Sequence, residues 1–417
     1  MKQTKGSPFL TAGKRALAAV RFLLGACLFI PILLFMLWVN YTVDCTGIFQ
    51  GDQQLRSVVE LLFSGQDITG YENLNERQRD LLQIMVDQFD PVPNTVALGS
   101  SRILQLNTQL CQVEDGQFFN CALTGADYYD VLGSFYRFDR AGKLPQNLVI
   151  GLDPWVFNDD ADATDARSDK QLYAQFLNNV LGIKTEDYEP TDPNQKWTSL
   201  YSPTYFQDNI KYVFSSKDGV KAPQTVQGNV LRQTTEVKRK DGSLLYPYDF
   251  RHQKQSDIDY SALFQTQNFF HVEYYTKPDH ERLQIFGKFL EYVKSKGVNV
   301  FLILTPYHPI AYDNAVENAD HYSGFMATEP AVRAIAAKYG VPVYGSYNPH
   351  AIPGVTSADF YDGIHCTGGC IGKFFPGVPT ALENLANGVD VSLDYEITAK
   401  EAEQRDSGKT ESGATLT

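Results

Sequence analysis

Four short apolar runs, set far apart along the chain, most constrain what it can fold into. Thr95-Val96-Ala97-Leu98-Gly99, Asn147-Leu148-Val149-Ile150-Gly151-Leu152-Asp153, residues 298–305 and Val341-Pro342-Val343-Tyr344 are continuously apolar rather than alternating. A strand buried on both faces reads this way, whereas one with a wet face alternates. Amphipathic stretches at helical spacing, residues 280–296 and 329–339, precede the last two runs, and each is closed by a glycine, Gly297 or Gly340. Helix, glycine and apolar strand in repetition predict a mainly parallel sheet covered by helices, an α/β/α three-layer sandwich. Sites in such sheets lie at the carboxyl ends of the strands, where residues 99–102, Asp153 and residues 305–308 fall.

Residues 22–39, FLLGACLFIPILLFMLWV, carry no charge and have about the length of a membrane-crossing helix. Lys2, Lys5, Lys14, Arg15 and Arg21 precede the run and Asp44 and Asp52 follow it, so the charge bias puts the N-terminus in the cytoplasm and the main domain outside. Trp38 and Tyr41 suit the outer interface. A cleaved signal peptide is the competing reading, but Asn40-Tyr41-Thr42-Val43-Asp44 lacks a small-x-small cleavage site. The expected organisation is a basic N-terminus (1–21), a transmembrane helix (22–42), a helical stalk or layer (43–93) and an α/β domain (94–394). A long polar insertion interrupts that domain at about 158–275, and residues 395–417 form a disordered tail. An insertion of this length reads as a lid or substrate-recognition surface.

The chain has 417 residues and a net charge of -13, which argues against a nucleic-acid partner. Cys111 and Cys121 are close in sequence, as are Cys366 and Cys370, and an extracytoplasmic compartment permits a short bridge in each pair. Free buried thiols are the alternative. Cys27 falls within the apolar run and Cys45 is left over. No Cys-x-x-Cys or paired histidines offer a zinc ligand set, so zinc is disfavoured, and serine acyl transfer implies no cofactor.

Nucleophilic acyl transfer needs a hydroxyl, a base and a carboxylate that fixes the base's tautomer. Gly99-Ser100-Ser101-Arg102 ends a buried strand, where a serine at the start of the next helix is exposed near backbone N–H groups. It lacks the second glycine of a nucleophile elbow and the Gly-Lys-Ser of a phosphate-binding loop. Far downstream, Tyr361-Asp362-Gly363-Ile364-His365 sets a carboxylate three residues before an imidazole, with a glycine that such a loop needs. Half a metal site, as in a metal-dependent phosphoesterase using Asp362 and His365, and a helix N-cap with a surface imidazole are the other readings. Arg102, Asp153 and His308 are the candidates for contact with substrate, Arg102 through a carboxylate or phosphate.

On these residues the chain resembles the SGNH/GDSL-like hydrolase superfamily, in particular its membrane-anchored extracytoplasmic branch. That branch includes relatives of the teichoic acid D-alanine-transfer protein and of alginate O-acetylation proteins. Residues 96–102 stand in the place of the family's Gly-Asp-Ser block and residues 362–365 in the place of its Asp-x-x-His block. The resemblance implies Ser101 as nucleophile, ahead of Ser100, with His365 as base and Asp362 as its orienter. Asn120-Cys121-Ala122-Leu123-Thr124-Gly125 matches the second block, so the N–H groups of Ser101 and Gly125 are the expected oxyanion donors. The third block departs from the family: Gly151-Leu152-Asp153-Pro154-Trp155 stands where an Asn is usual, and Asn158 is the nearest substitute.

The function so implied is an esterase or acyltransferase on a cell-envelope polymer or lipid-linked precursor, held at a bacterial inner membrane, with a membrane-bound O-acyltransferase as a candidate partner. The alternative is a catalytically weak binding or assembly partner of such an acyltransferase.

Overall fold

The computed structural model describes residues 8–45, 48–49, 51–70, 77–158, 167–185, 195–215, 223–273, 275–392, 395–396, 398–400 and 403. The five strands of its main sheet are β1 (Thr95–Leu98), β2 (Phe118–Asn120), β3 (Asn147–Gly151), β4 (Asn299–Leu304) and β5 (Val343–Gly345). They lie in the order β2-β1-β3-β4-β5, and every neighbouring pair is parallel. The fold is therefore mixed α/β on a parallel sheet. Nearly every strand residue is buried, which is why these runs are apolar without alternation. From β1 the chain goes outward to β2 and then returns past β1 to β3. The order thus reverses between β1 and β3, and a crevice opens there at the carboxyl ends of the strands.

The longer helices are α1 (Pro8–Thr42), α2 (Gly51–Phe63), α3 (Gln78–Gln88), α4 (Tyr128–Arg140), α5 (Pro203–Ser215), α6 (Gln255–Gln265), α7 (His280–Ser295), α8 (Pro309–Glu317) and α9 (Ser323–Lys338). α7 ends as expected, while α9 begins well before residue 329 and runs through Pro330. Leu55, Val58, Val59 and Leu62 of α2 and Leu81, Leu82 and Met85 of α3 are buried in the same core as the strands. α4 starts at Asp127, whose carboxylate accepts the N–H groups of Tyr129 and Asp130 in a capping box.

The chain divides into two compact units, Met1–Gln54 with Pro190–Lys221, and Leu55–Glu189 with Ala222–Thr417. The insertion is thus shared between them. Its middle carries α5 in the first unit, whereas its last part, with α6, belongs to the second. The run 22–39 lies inside α1, whose side chains at 8–19, 22–24, 26 and 28 are outside the described residues. Among the described residues no helix is long and apolar enough to cross a membrane. Residues 404–417 of the expected tail and residues 1–7 of the basic N-terminus are outside the described residues as well.

Neither cysteine pair is bridged: Cys111, Cys121, Cys366 and Cys370 are buried free thiols. Each is packed into an element of its own surroundings. Cys111 ends the helix Thr108–Cys111, Cys366 pairs with Phe360 in an isolated bridge and Cys370 lies in the helix Gly368–Phe374. Burial pushes the Cys121 thiol up to about 12 against the pull of Lys238, so it stays a neutral core group.

β1 and β3 approach closely where they end. A Cβ at Gly99 would lie 2.7 Å from the Gly151 carbonyl oxygen, and Gly99 has φ +149°, a region that L side chains rarely adopt. Gly99→Ala therefore combines backbone strain with an overpacked contact and is expected to destabilise the fold by more than about 2 kcal/mol, read as a lowered denaturation midpoint.

Candidate active site

Ser101 follows β1 directly and opens a three-residue 3₁₀ turn, Ser101–Ile103, capped by the Ser100 hydroxyl, which accepts the Arg102 N–H at 3.1 Å. The helix expected to start at the serine is only this three-residue turn, too short to lend it a helix dipole. The turn is held from β2 instead. Asn120, fully buried, donates through Nδ2 to the carbonyls of Ile103 and Leu106 at 2.8 Å each, and its Oδ1 accepts the Ala122 N–H at 2.9 Å.

The two sequence stretches meet. Ser101 Oγ lies 2.9 Å from His365 Nε2, and His365 Nδ1 lies 2.8 Å from Asp362 Oδ2. Ionised Asp362 can only accept, so Nδ1 carries the ring proton and Nε2 is left to accept from the serine. The second carboxylate oxygen accepts the N–H groups of Ile364 and His365, both at 2.8 Å. Burial pushes this carboxyl up, but the His365 charge and these hydrogen bonds outweigh it and hold Asp362 below the ordinary carboxylate range.

Gly125 borders the same pocket as Ser101, a cavity of about 330 Å³ whose walls also include Trp155, Phe270, Tyr246, Arg167 and Lys238. The N–H groups of Ser101 and Gly125 meet no acceptor among the described residues, so both remain available to an oxyanion. Two larger clefts, of about 400 and 500 Å³, are lined by residues such as Phe89, Asp115 and Lys240 and do not include Ser101 or His365.

Three residues expected to contact substrate do not face the pocket. Arg102 is 1% exposed. Its guanidinium donates to Asp153 at 3.0 Å and to the carbonyls of Ile364, Thr305 and Pro306 at 2.9, 2.6 and 2.8 Å, and lies 3.9 Å from the Tyr307 ring centroid. The donors that would clamp a substrate anion are engaged inside the protein. Asp153 is 2% exposed; burial raises its carboxyl above the usual value, and Arg102 and Ser100 offset only part of that. Salt-bridged in this way, its charge is balanced before it can act on an oxyanion. His308 is fully buried. Its Nδ1 accepts the Ile310 N–H at the start of α8, and Nε2 faces Asp259 at 3.2 Å. Burial pushes this imidazole down despite Asp259. Tyr307 is covered by Arg102, and Asn158 donates to the His271 carbonyl rather than to the pocket.

The insertion supplies residues that sequence reasoning did not single out. Gln265 Oε1 of α6 accepts the Gly363 N–H at 2.8 Å, while the His308 N–H donates to the Gly363 carbonyl at 3.0 Å. A Cβ at Gly363 would lie 2.4 Å from Gln265 Oε1 and 3.1 Å from Ala262 Cα, so only glycine admits α6 at this distance. The Tyr246 ring packs edge-on to His365 with centroids 6.1 Å apart. Gln265 and Tyr246 lie in polar, irregular sequence with no motif to mark them.

Among the described residues no group of three or more His, Cys, Asp or Glu side chains is arranged to hold a metal ion. No protein-family model matches the chain, and no curated protein is significantly similar to it.

Proposed function

We propose that this chain is a membrane-anchored, extracytoplasmic serine acyl esterase or acyltransferase of the SGNH type, acting on a cell-envelope polymer or its lipid-linked precursor. One observation carries the reading: Ser101, His365 and Asp362 form a continuous relay at 2.9 and 2.8 Å beside a pocket. In the proposed reaction Ser101 Oγ attacks an ester carbonyl as His365 Nε2 takes its proton. The N–H groups of Ser101 and Gly125 receive the negative charge on the carbonyl oxygen. His365 then protonates the departing alcohol, and Asp362 stabilises the imidazolium in between. Water or an acceptor hydroxyl releases the acyl group by the same steps in reverse. No cofactor enters.

The apolar run of α1 is the proposed anchor, with the basic N-terminus on the cytoplasmic side. The large exposed side chains Phe29, Ile30, Ile32, Leu33, Leu34 and Phe35 of α1 support it, since such a surface is stable in hydrocarbon and not in water.

A fluorophosphonate probe is expected to label the full-length chain and to lose that labelling in Ser101→Ala, whereas Ser100→Ala keeps it. Retained labelling of a folded Ser101→Ala protein removes this serine from the mechanism. A second reading, a catalytically weak assembly partner of a membrane-bound acyltransferase, is favoured by the buried Asp153–Arg102 pair in the place of an oxyanion-binding Asn. Absence of aryl acetate hydrolysis by a probe-reactive wild-type chain would favour it.

A further inference from the structure

We infer that α5, in the middle of the insertion, is a foot that lies in the outer membrane interface beside the anchor rather than a lid over the active site. The inference rests on the reading of α1 as a membrane anchor.

α5 is fixed to the end of α1 by a closed set of polar contacts. Asn40, fully buried, donates to the carbonyls of Leu200 and Ser202 at 2.9 and 3.1 Å, and its Oδ1 accepts from Asn209 Nδ2 at 3.1 Å. Asn209 Oδ1 in turn accepts the Cys45 N–H at 2.7 Å. The Tyr205 hydroxyl donates to Asp44 at 2.6 Å, and the same carboxylate accepts the Phe49 N–H at 2.8 Å. Tyr205 and Asn209, four residues apart, therefore form the face of α5 turned to α1.

The other two faces of α5 differ sharply. Thr204, Gln207, Asp208 and Lys211 make one exposed polar side. Phe206, Ile210, Val213 and Phe214 recur at i, i+4, i+7 and i+8 and make an apolar stripe that stays largely accessible among the described residues: Phe206 and Ile210 are half-buried, Val213 is exposed and Phe214 is 79% exposed. A helix with one apolar and one polar side at low net hydrophobicity is the form that lies flat in a bilayer interface.

The occupant of the stripe follows from where it begins. Phe206 packs edge-on against Phe35 with ring centroids 6.0 Å apart, and Phe35 lies within the uncharged run of α1, next to Trp38. The stripe is thus continuous with the lipid-facing surface of the anchor. Trp38, Tyr41, Trp197 and Tyr201, all more than half exposed, belong to the same unit, and amphipathic aromatic rings of this kind settle at the headgroup level.

The test uses the full-length chain in nanodiscs of phosphatidylcholine and phosphatidylglycerol, with and without phosphatidylcholine brominated on its acyl chains. The emission added by Phe214→Trp is expected to be blue-shifted and quenched by the brominated lipid several-fold more than that added by Lys211→Trp on the polar side. Equal quenching at the two positions overturns the proposal. Emission that is blue-shifted but unquenched also overturns it, because protein and not lipid then covers the stripe. Alkaline carbonate extraction separates the two readings. A chain that stays in the membrane with Phe214→Trp unquenched loses only the foot, whereas a chain released by carbonate loses the anchor and the foot together.

Discussion

Arg102→Met is expected to destabilise the protein by about 3–5 kcal/mol, the range for removing one partner of a buried ion pair. Methionine fills much of the same volume, so the loss is electrostatic rather than a cavity. It leaves Asp153 buried without its cation and the carbonyls of Thr305, Pro306 and Ile364 without their shared donor. Arg102→Lys is not expected to rescue it, because a single ammonium cannot reproduce a planar fork spread over four acceptors. Adding Asp153→Leu to Arg102→Met should recover part of the loss, which a double-mutant cycle on denaturation midpoints measures directly. A loss below about 1 kcal/mol for the single variant would remove Arg102 from its structural role. The proposed esterase activity should fall even under conditions where the variant stays folded, since Arg102 also holds the Ile364 carbonyl one residue before His365.

Asp362→Asn is expected to lower kcat by about 10³–10⁴-fold with little change in KM, because an amide favours the wrong imidazole tautomer and cannot stabilise the imidazolium. The same variant reads the carboxylate's contribution to stability. The folded value of Asp362 lies below its ordinary one. The unfolded chain therefore binds the proton more readily, and the stabilisation is present above the unfolded value of about 3.9 and lost as pH falls through the lower folded value. The stability gap between wild type and Asp362→Asn should accordingly be full at pH of about 5 and close in stronger acid. Chemical denaturation across that range checks the sign, and a gap that widens on acidification contradicts it.

The sheet was legible where burial on both faces leaves an uninterrupted apolar run, as in β1, β3 and β4. β2 escaped because three residues, Phe118–Asn120, are too few to set a period, and α4 was missed although its thirteen residues carry separate apolar and polar sides at helical spacing. Its capping box at Asp127 and Asp130 was the signal that could have found it. The convergence of Ser101, Asp362 and His365 was expected because acyl transfer would need those residue types at strand and loop ends, and the three do meet. The true role of Arg102 was not readable, since its acceptors at 153, 305, 306 and 364 converge only after folding. A buried cation and a substrate clamp look the same in one dimension. His308 was ambiguous for the same reason, its partner Asp259 lying on the insertion.

The grip on Gly363 from both sides, by Gln265 on its N–H and by the His308 N–H on its carbonyl, has a consequence for how such a protein can diversify. The insertion that lines the pocket beside Ser101 cannot be exchanged independently of the loop that carries Asp362 and His365, because the two are joined at Gly363. A chimera that grafts a foreign insertion would inherit a misaimed imidazole unless residues 255–265 travel with 359–366.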